Sequence, residues 1–267
     1  MNAGFFETAK YCISLPDPGE KCEAVSELAG ALESAALDWD DEGPVVPIGT
    51  PGRPVRPELV DASRVPRRRL GSEQGRAALV HAIAHIEFNA INLALDAAYR
   101  FRDMPPGFYQ DWISVAVDEA RHFRLLENRL HELGSSYGDF PAHNGLWEMA
   151  LKTAGDCLVR MALVPRVLEA RGLDVTPGMI KRLQAVGDHE TVAALEVILA
   201  EEVRHVAIGT RWFRYCCRQQ SLDPLSTFLD LLKLHYGGSL KGPYNLEARF
   251  EAGFSSEEMA ALTAGLG

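Results

Sequence analysis

The chain of 267 residues is 47% hydrophobic and 24% charged, enough to bury a sizeable core and unlike a disordered or fibrous composition. Lys+Arg number 27 against 37 Asp+Glu, a net charge of −10, so no global field draws the protein to nucleic acid or an anionic membrane. Only Arg64, Arg67, Arg68 and Arg69 form a local basic strip. No uninterrupted apolar run approaches the roughly 20 residues of a membrane helix, and the first dozen residues lack a basic start followed by an apolar core. The expectation is therefore a cytoplasmic protein with no membrane association. Cys12, Cys22, Cys157, Cys216 and Cys217 form no CxxC pair, and their odd number suits reduced packing residues.

In chain order, residues 1–38 carry two short helical patterns broken at Pro16-Asp17-Pro18-Gly19. Residues 43–66 hold prolines at 44, 47, 51, 54, 57 and 66, which no helix tolerates; the segment reads as an extended arm over a helical body, or else as a linker. From Ser72 to about Gln220 helical periodicity dominates. A first long helix is predicted from Ser72 to Arg102, then a turn at Met104-Pro105-Pro106-Gly107, then a second helix to Leu133 with Gly134 as its C-terminal stop. A third is predicted from Leu146 to Arg171, interrupted at Gly172 to Pro177, where Thr176 is placed to cap a new start, and resuming over 178–186. After a hairpin turn at Gly187-Asp188 a fourth helix spans His189 to Gln220. A shorter helix from Pro224 to Tyr236 precedes an irregular tail with one helical turn after Ser255. The predicted fold is all-α, a four-helix bundle with additional short helices, organised as an N-terminal region with the arm (1–70), the bundle (71–220) and a C-terminal helix and tail (221–267).

The second helix contains Asp118-Glu119-Ala120-Arg121-His122 and the fourth Glu201-Glu202-Val203-Arg204-His205. Both are Glu-x-x-His, which puts the two side chains on one helix face. Lone glutamates stand on the first and third helices at Glu87 and Glu169. The separation from Glu87 to Glu119 is 32 residues, that from Glu169 to Glu202 is 33, and the two motifs lie 83 apart, so one ligand-bearing hairpin is written twice. The midpoints of both glutamate pairs fall beside the predicted turns, which sets each pair level across its hairpin. All four glutamates interrupt apolar faces, and buried carboxylates need compensating positive charge. Two cations held by Glu87, Glu119, His122, Glu169, Glu202 and His205 would supply it, and a carboxylate-rich set with one imidazole per motif favours iron or manganese over structural zinc.

Asp118 and Glu201 either accept the free ring N–H of a ligand histidine or are surface charges. Arg121 and Arg204 read first as solvated arginines and second as balancing the site's negative charge, and His81 and His85, which share a face offset from that of Glu87, are disfavoured as extra ligands. Tyr99, Tyr109, Trp112, Trp212 and Tyr215 read first as core aromatics. The predicted break after Glu169 either lets that carboxylate change its binding mode or simply caps a bent helix.

At these motifs the sequence resembles the ferritin-like superfamily of di-iron carboxylate proteins, and more closely a bacterial ferritin-like family of unknown function. His85-Ile86-Glu87, the run Glu169 to Asp174, the run Glu201 to Gly209, the arm from Arg53-Pro54 to Pro66-Arg67-Arg68 and Lys241-Gly242-Pro243-Tyr244-Asn245 carry the likeness, with Glu201 departing from the expected Asp. The resemblance implies two metal ions, iron first and manganese or a mixed pair as alternatives, and O₂ or peroxide chemistry on a small-molecule or tRNA-type substrate. Metal handling, as in iron oxidation and storage, and a structural metal-binding bundle are the competing expectations. A homodimer is a further expectation.

Overall fold

A computed structural model describes residues 4–39, 43–65, 69–237 and 240–265. The basic-strip residues Arg67 and Arg68 lie outside them. The described residues are helical apart from turns and extended links, with two isolated β-bridges and no strand. The chain divides into two compact units, Met1–Leu151 and Lys152–Gly267.

In the first unit, α1 (Phe5–Ser14) and α2 (Pro18–Glu33) are separated as the prolines require, with Asp17 accepting the Glu20 N–H at 3.0 Å and Pro18 opening α2. Lys21 is fully buried, and its three ammonium donors are matched by the Cys12 carbonyl (3.0 Å), the Ile13 carbonyl (2.7 Å) and Asn92 Oδ1 (2.7 Å). It thereby closes the C-terminal end of α1, whose last carbonyls lack helical partners. The proline-rich segment is extended except for a 3₁₀ turn at Ala62–Arg64. Its backbone is tied down at Gly52 N–H to Ile13 O (2.8 Å), Val60 N–H to Ala142 O (2.8 Å) and Gly49 O from Trp147 Nε1 (2.9 Å). At Gly52 a Cβ would lie 2.1 Å from the Ser14 carbonyl oxygen, so only glycine admits this close approach.

The body of this unit is the hairpin of α3 (Glu73–Arg100) and α4 (Pro106–Glu132). Ser72 caps α3 by accepting from Gly75 N–H at 3.1 Å, and Gly134 ends α4 at φ +67°. Among the described helices α3 alone is long and apolar enough to cross a membrane, but most of that apolar stretch is buried inside the protein. The short α5 (Gly145–Lys152) follows.

The predicted third helix needs correction. It is not continuous from Leu146: α5 stops, residues 153–156 turn, and Asp156 accepts Leu158 N–H at 2.8 Å to start α6 (Cys157–Leu163). A π-helical turn, Val164–Glu169, comes next, and α7 (Ala170–Gln184) then runs straight through Gly172 and Pro177. Thr176 therefore caps nothing. Pro177 has no N–H for the Leu173 carbonyl, and Asn245 Nδ2 takes that carbonyl instead at 3.3 Å. Pro165 falls within the wider π turn, where the ordinary helical register is already relaxed.

In the second unit α6, the π turn and α7 pack along α8 (His189–Gln219). Gly187 at φ +74° and the Asp188 cap of Thr191 N–H (3.1 Å) make the expected α7–α8 turn. A Cβ on Gly209 would meet Pro165 Cβ at 2.2 Å, so α8 seats against the π turn only because residue 209 has no side chain. The tail is more ordered than predicted: α9 (Pro224–Tyr236) is followed by α10 (Leu246–Glu251), capped by Asn245, and α11 (Ser256–Ala264) with a Ser255–Glu258 capping box. Two buried ion pairs fasten it. Arg166 Nη2 meets Glu258 Oε1 at 2.5 Å with its guanidinium over Phe213, Phe228 and Phe254, and Arg249 grips Asp174 with two bonds of 2.9 and 2.7 Å.

Candidate metal centre

The α3–α4 hairpin brings three of the predicted ligands together. The Glu-x-x-His spacing puts Glu119 and His122 on one face of α4, and the antiparallel return from α3 sets Glu87 beside them. His122 Nδ1 lies 3.2 Å from Glu87 Oε2 and 3.5 Å from Glu119 Oε2, with Glu87 5%, Glu119 1% and His122 0% exposed. Burial alone would lower the His122 pKa, but the Glu119 and Glu87 carboxylates outweigh it and raise the group to about 11. These buried acids thus attract positive charge strongly. The three ligand atoms lie within 4.8 Å of one another, and this buried Glu/His cluster could hold a metal ion. The spacing fits: donors about 2.1 Å from an ion and at right angles sit about 3 Å apart.

In the second unit α8 repeats the local geometry, with His205 Nδ1 3.3 Å from Glu202 Oε1 and His205 fully buried. Glu169 is half-buried at the end of the π turn. Pro165 against Gly209 sets the register here. One turn on from Pro165 is Glu169, and one turn back from Gly209 is His205, so these two stand at the same level of the hairpin.

The flanking charges are more ordinary. Asp118 pairs with Arg121 at 3.2 Å on a partly exposed face of α4, and Glu201 is half-buried on α8. Neither His81 nor His85 belongs to the carboxylate cluster. His81 Nε2 accepts Gly138 N–H at 2.9 Å, and His85 Nδ1 lies 2.8 Å from the Tyr137 hydroxyl. Burial lowers both to a pKa of about 4, so each stays a neutral imidazole that holds the loop after α4. Tyr99 is tied by its hydroxyl to both backbone groups of Val46, Tyr109 to the carbonyls of Phe101 and Arg102, and Trp212 packs edge-on to Tyr215 at 5.3 Å. Trp112 is a buried core residue.

Sequence reasoning passed over Tyr137, which packs on His81, His85, Phe88 and Phe123, and the π turn that carries Glu169. The signal for the latter was present: Pro165 sits inside a helical pattern four residues before the glutamate. A pocket of about 220 Å³ lies along Ala82, His85, Ile86 and Asn89 of α3. At about 100° per residue that face is roughly 150° around the helix from Glu87, so this cavity does not open beside the ligands.

A family profile described as "Protein of unknown function (DUF455)" matches residues 14–260. The chain is also 42% identical over 265 residues to an "Uncharacterized protein" of Haemophilus influenzae, a match spanning 96% of this chain and 92% of that one. No solved structure matches significantly.

Proposed function

The chain belongs to the DUF455 family, and from its buried carboxylates and imidazoles we propose a ferritin-like di-metal protein that acts as an oxidase or oxygenase on an organic substrate. The observation that carries this reading is the meeting of Glu87, Glu119 and His122 inside the first hairpin. The repeat of the same ligand set 83 residues later supports counting Glu169, Glu202 and His205 with them as one shell for two ions. Four carboxylates and two imidazoles favour iron, with manganese or a mixed pair next. Such a pair, when bound, supplies redox chemistry with O₂ or peroxide.

The chain's own groups do the rest. Glu87 and Glu119 place negative charge where it balances a cation, and His122 presents Nδ1 toward them from a fully buried ring. Phe88, Phe123 and Leu126, all buried on the same two helices, keep water from the hairpin interior. Glu169, at the end of a π turn, is the ligand with most freedom to move.

Metal analysis of protein purified without added metal should return about two ions per chain, and the Fe(II)-loaded protein should consume O₂. Fewer than about one ion per chain in every preparation overturns the metal reading. Bound metal without O₂ consumption would leave a structural bundle, and a cage-sized particle on size exclusion would mark iron storage instead.

A further inference from the structure

A groove of about 290 Å³ in the second unit is walled by α8 and the end of α10, with Arg211, Arg214 and Arg218 on one side and Glu251, Ala252 and Gly253 on the other. The arginine spacing of three and four residues puts all three on one face of α8. That face is roughly 180° around the helix from Glu202, His205 and Gly209, so the groove is separate from the candidate metal ligands.

Three features make it more than a solvated charged face. Arg214 Nη2 donates to the Gly253 carbonyl at 2.6 Å, which orders one guanidinium at the wall in advance. Gly253 reaches this position at φ +86°, with room for a Cβ only 3.2 Å from Thr210 Cγ2. Arg218 is exposed and, among the described residues, its guanidinium makes no hydrogen bond or ion pair; Glu251, the acid of the groove, pairs with neither it nor Arg214.

We propose that this groove binds the phosphate group of a small molecule. Guanidinium forks match phosphate oxygens two at a time, and Arg214 and Arg218 together offer more donors than the Glu251 carboxylate can accept. The excess positive charge sits in a chain of net charge −10. A long polyanion meets that whole field, whereas a small ligand feels charges only within a screening length of about 8 Å. The chemistry therefore points to a compact phosphate or diphosphate ester and away from a nucleic acid backbone.

The test is calorimetric titration of the full chain with inorganic pyrophosphate, with malonate at matched ionic strength and with a short single-stranded RNA. Pyrophosphate should bind the wild type, and Arg218→Glu should weaken it by at least about tenfold, while Arg218→Lys, which keeps the charge but loses the fork, should fall between the two. Arg218 is exposed, so both variants should keep the wild-type melting temperature, and Glu119→Ala should leave pyrophosphate affinity unchanged. Equal affinity in Arg218→Glu, equal binding of malonate, or RNA binding that depends on Arg218 without pyrophosphate binding would each overturn the proposal.

Discussion

The two hairpins carry the same pattern of glutamates and histidines on different scaffolds. In the first, α3 and α4 are uninterrupted helices of 28 and 27 residues, and Glu87 and Glu119 are almost wholly buried. In the second, the strand of helix facing α8 is made of α6, a π turn and α7, its glutamates are only half-buried, and its packing depends on a proline set against a glycine. A regular helix holds a carboxylate at one height and angle, whereas a π turn adds a residue and swings the side chain that ends it. The Glu-x-x-His pattern thus stands on a regular scaffold in the first hairpin and opposite an irregular one in the second.

That contrast is open to attack in several ways. The largest effect belongs to the ligands: Glu119→Ala and His205→Ala should each abolish metal uptake, measured by elemental analysis, whereas His81→Ala should leave it nearly unchanged. The opposite ranking would mean that the wrong residues have been assigned. Next comes the tail's hold on the π turn. Arg166→Ala leaves Glu258 buried without its partner and should cost about 3–5 kcal/mol in urea unfolding, against far less for removing the exposed Arg121–Asp118 pair.

The first hairpin should reveal itself by pH. Burial holds His81 at about 4 when folded against an ordinary 6.5, with the Asp139 charge opposing; the ring faces Tyr137, Phe140 and His85 as well. Its contribution is complete above pH 6.5 and is lost as the pH falls toward 4, where protonation also breaks the bond from Gly138 N–H. About 2–3 kcal/mol of stability should disappear over that range, and His81→Leu should flatten that part of the profile. Gly209→Ala should destabilise by about 2 kcal/mol, because the methyl meets Pro165, although alanine is the better helix former. The smallest effect, about 1 kcal/mol, is expected for Ser255→Ala, which removes one half of the capping box.

Much of this arrangement was legible in the residues. Local chemistry ends helices, so Asp17-Pro18, Gly134 and Gly187-Asp188 marked real boundaries. The Glu-x-x-His spacing likewise foretold which side chains share a face, since helical periodicity is a property of the backbone alone. The misreadings lie where a distant partner overrules a local signal. Gly172 to Pro177 looks like a stop, yet Asn245 supplies the missing hydrogen bond and Arg249 locks Asp174 into the same turn. Thr153 to Asp156 looked helical because periodicity is a weak guide over four residues, and Asp156 preferred to cap.

Sequence by itself determined that the chain is helical, where most of its long helices turn, and which carboxylates and imidazoles recur in matched positions; each follows from bonding within a few residues. Tertiary structure decided the π turn at Glu169, the passage of α7 through Pro177, the helix hidden in the tail and the loop-holding role of His81 and His85. Those outcomes depend on groups tens of residues apart meeting in space, where a buried polar atom must find a partner wherever the fold can provide one.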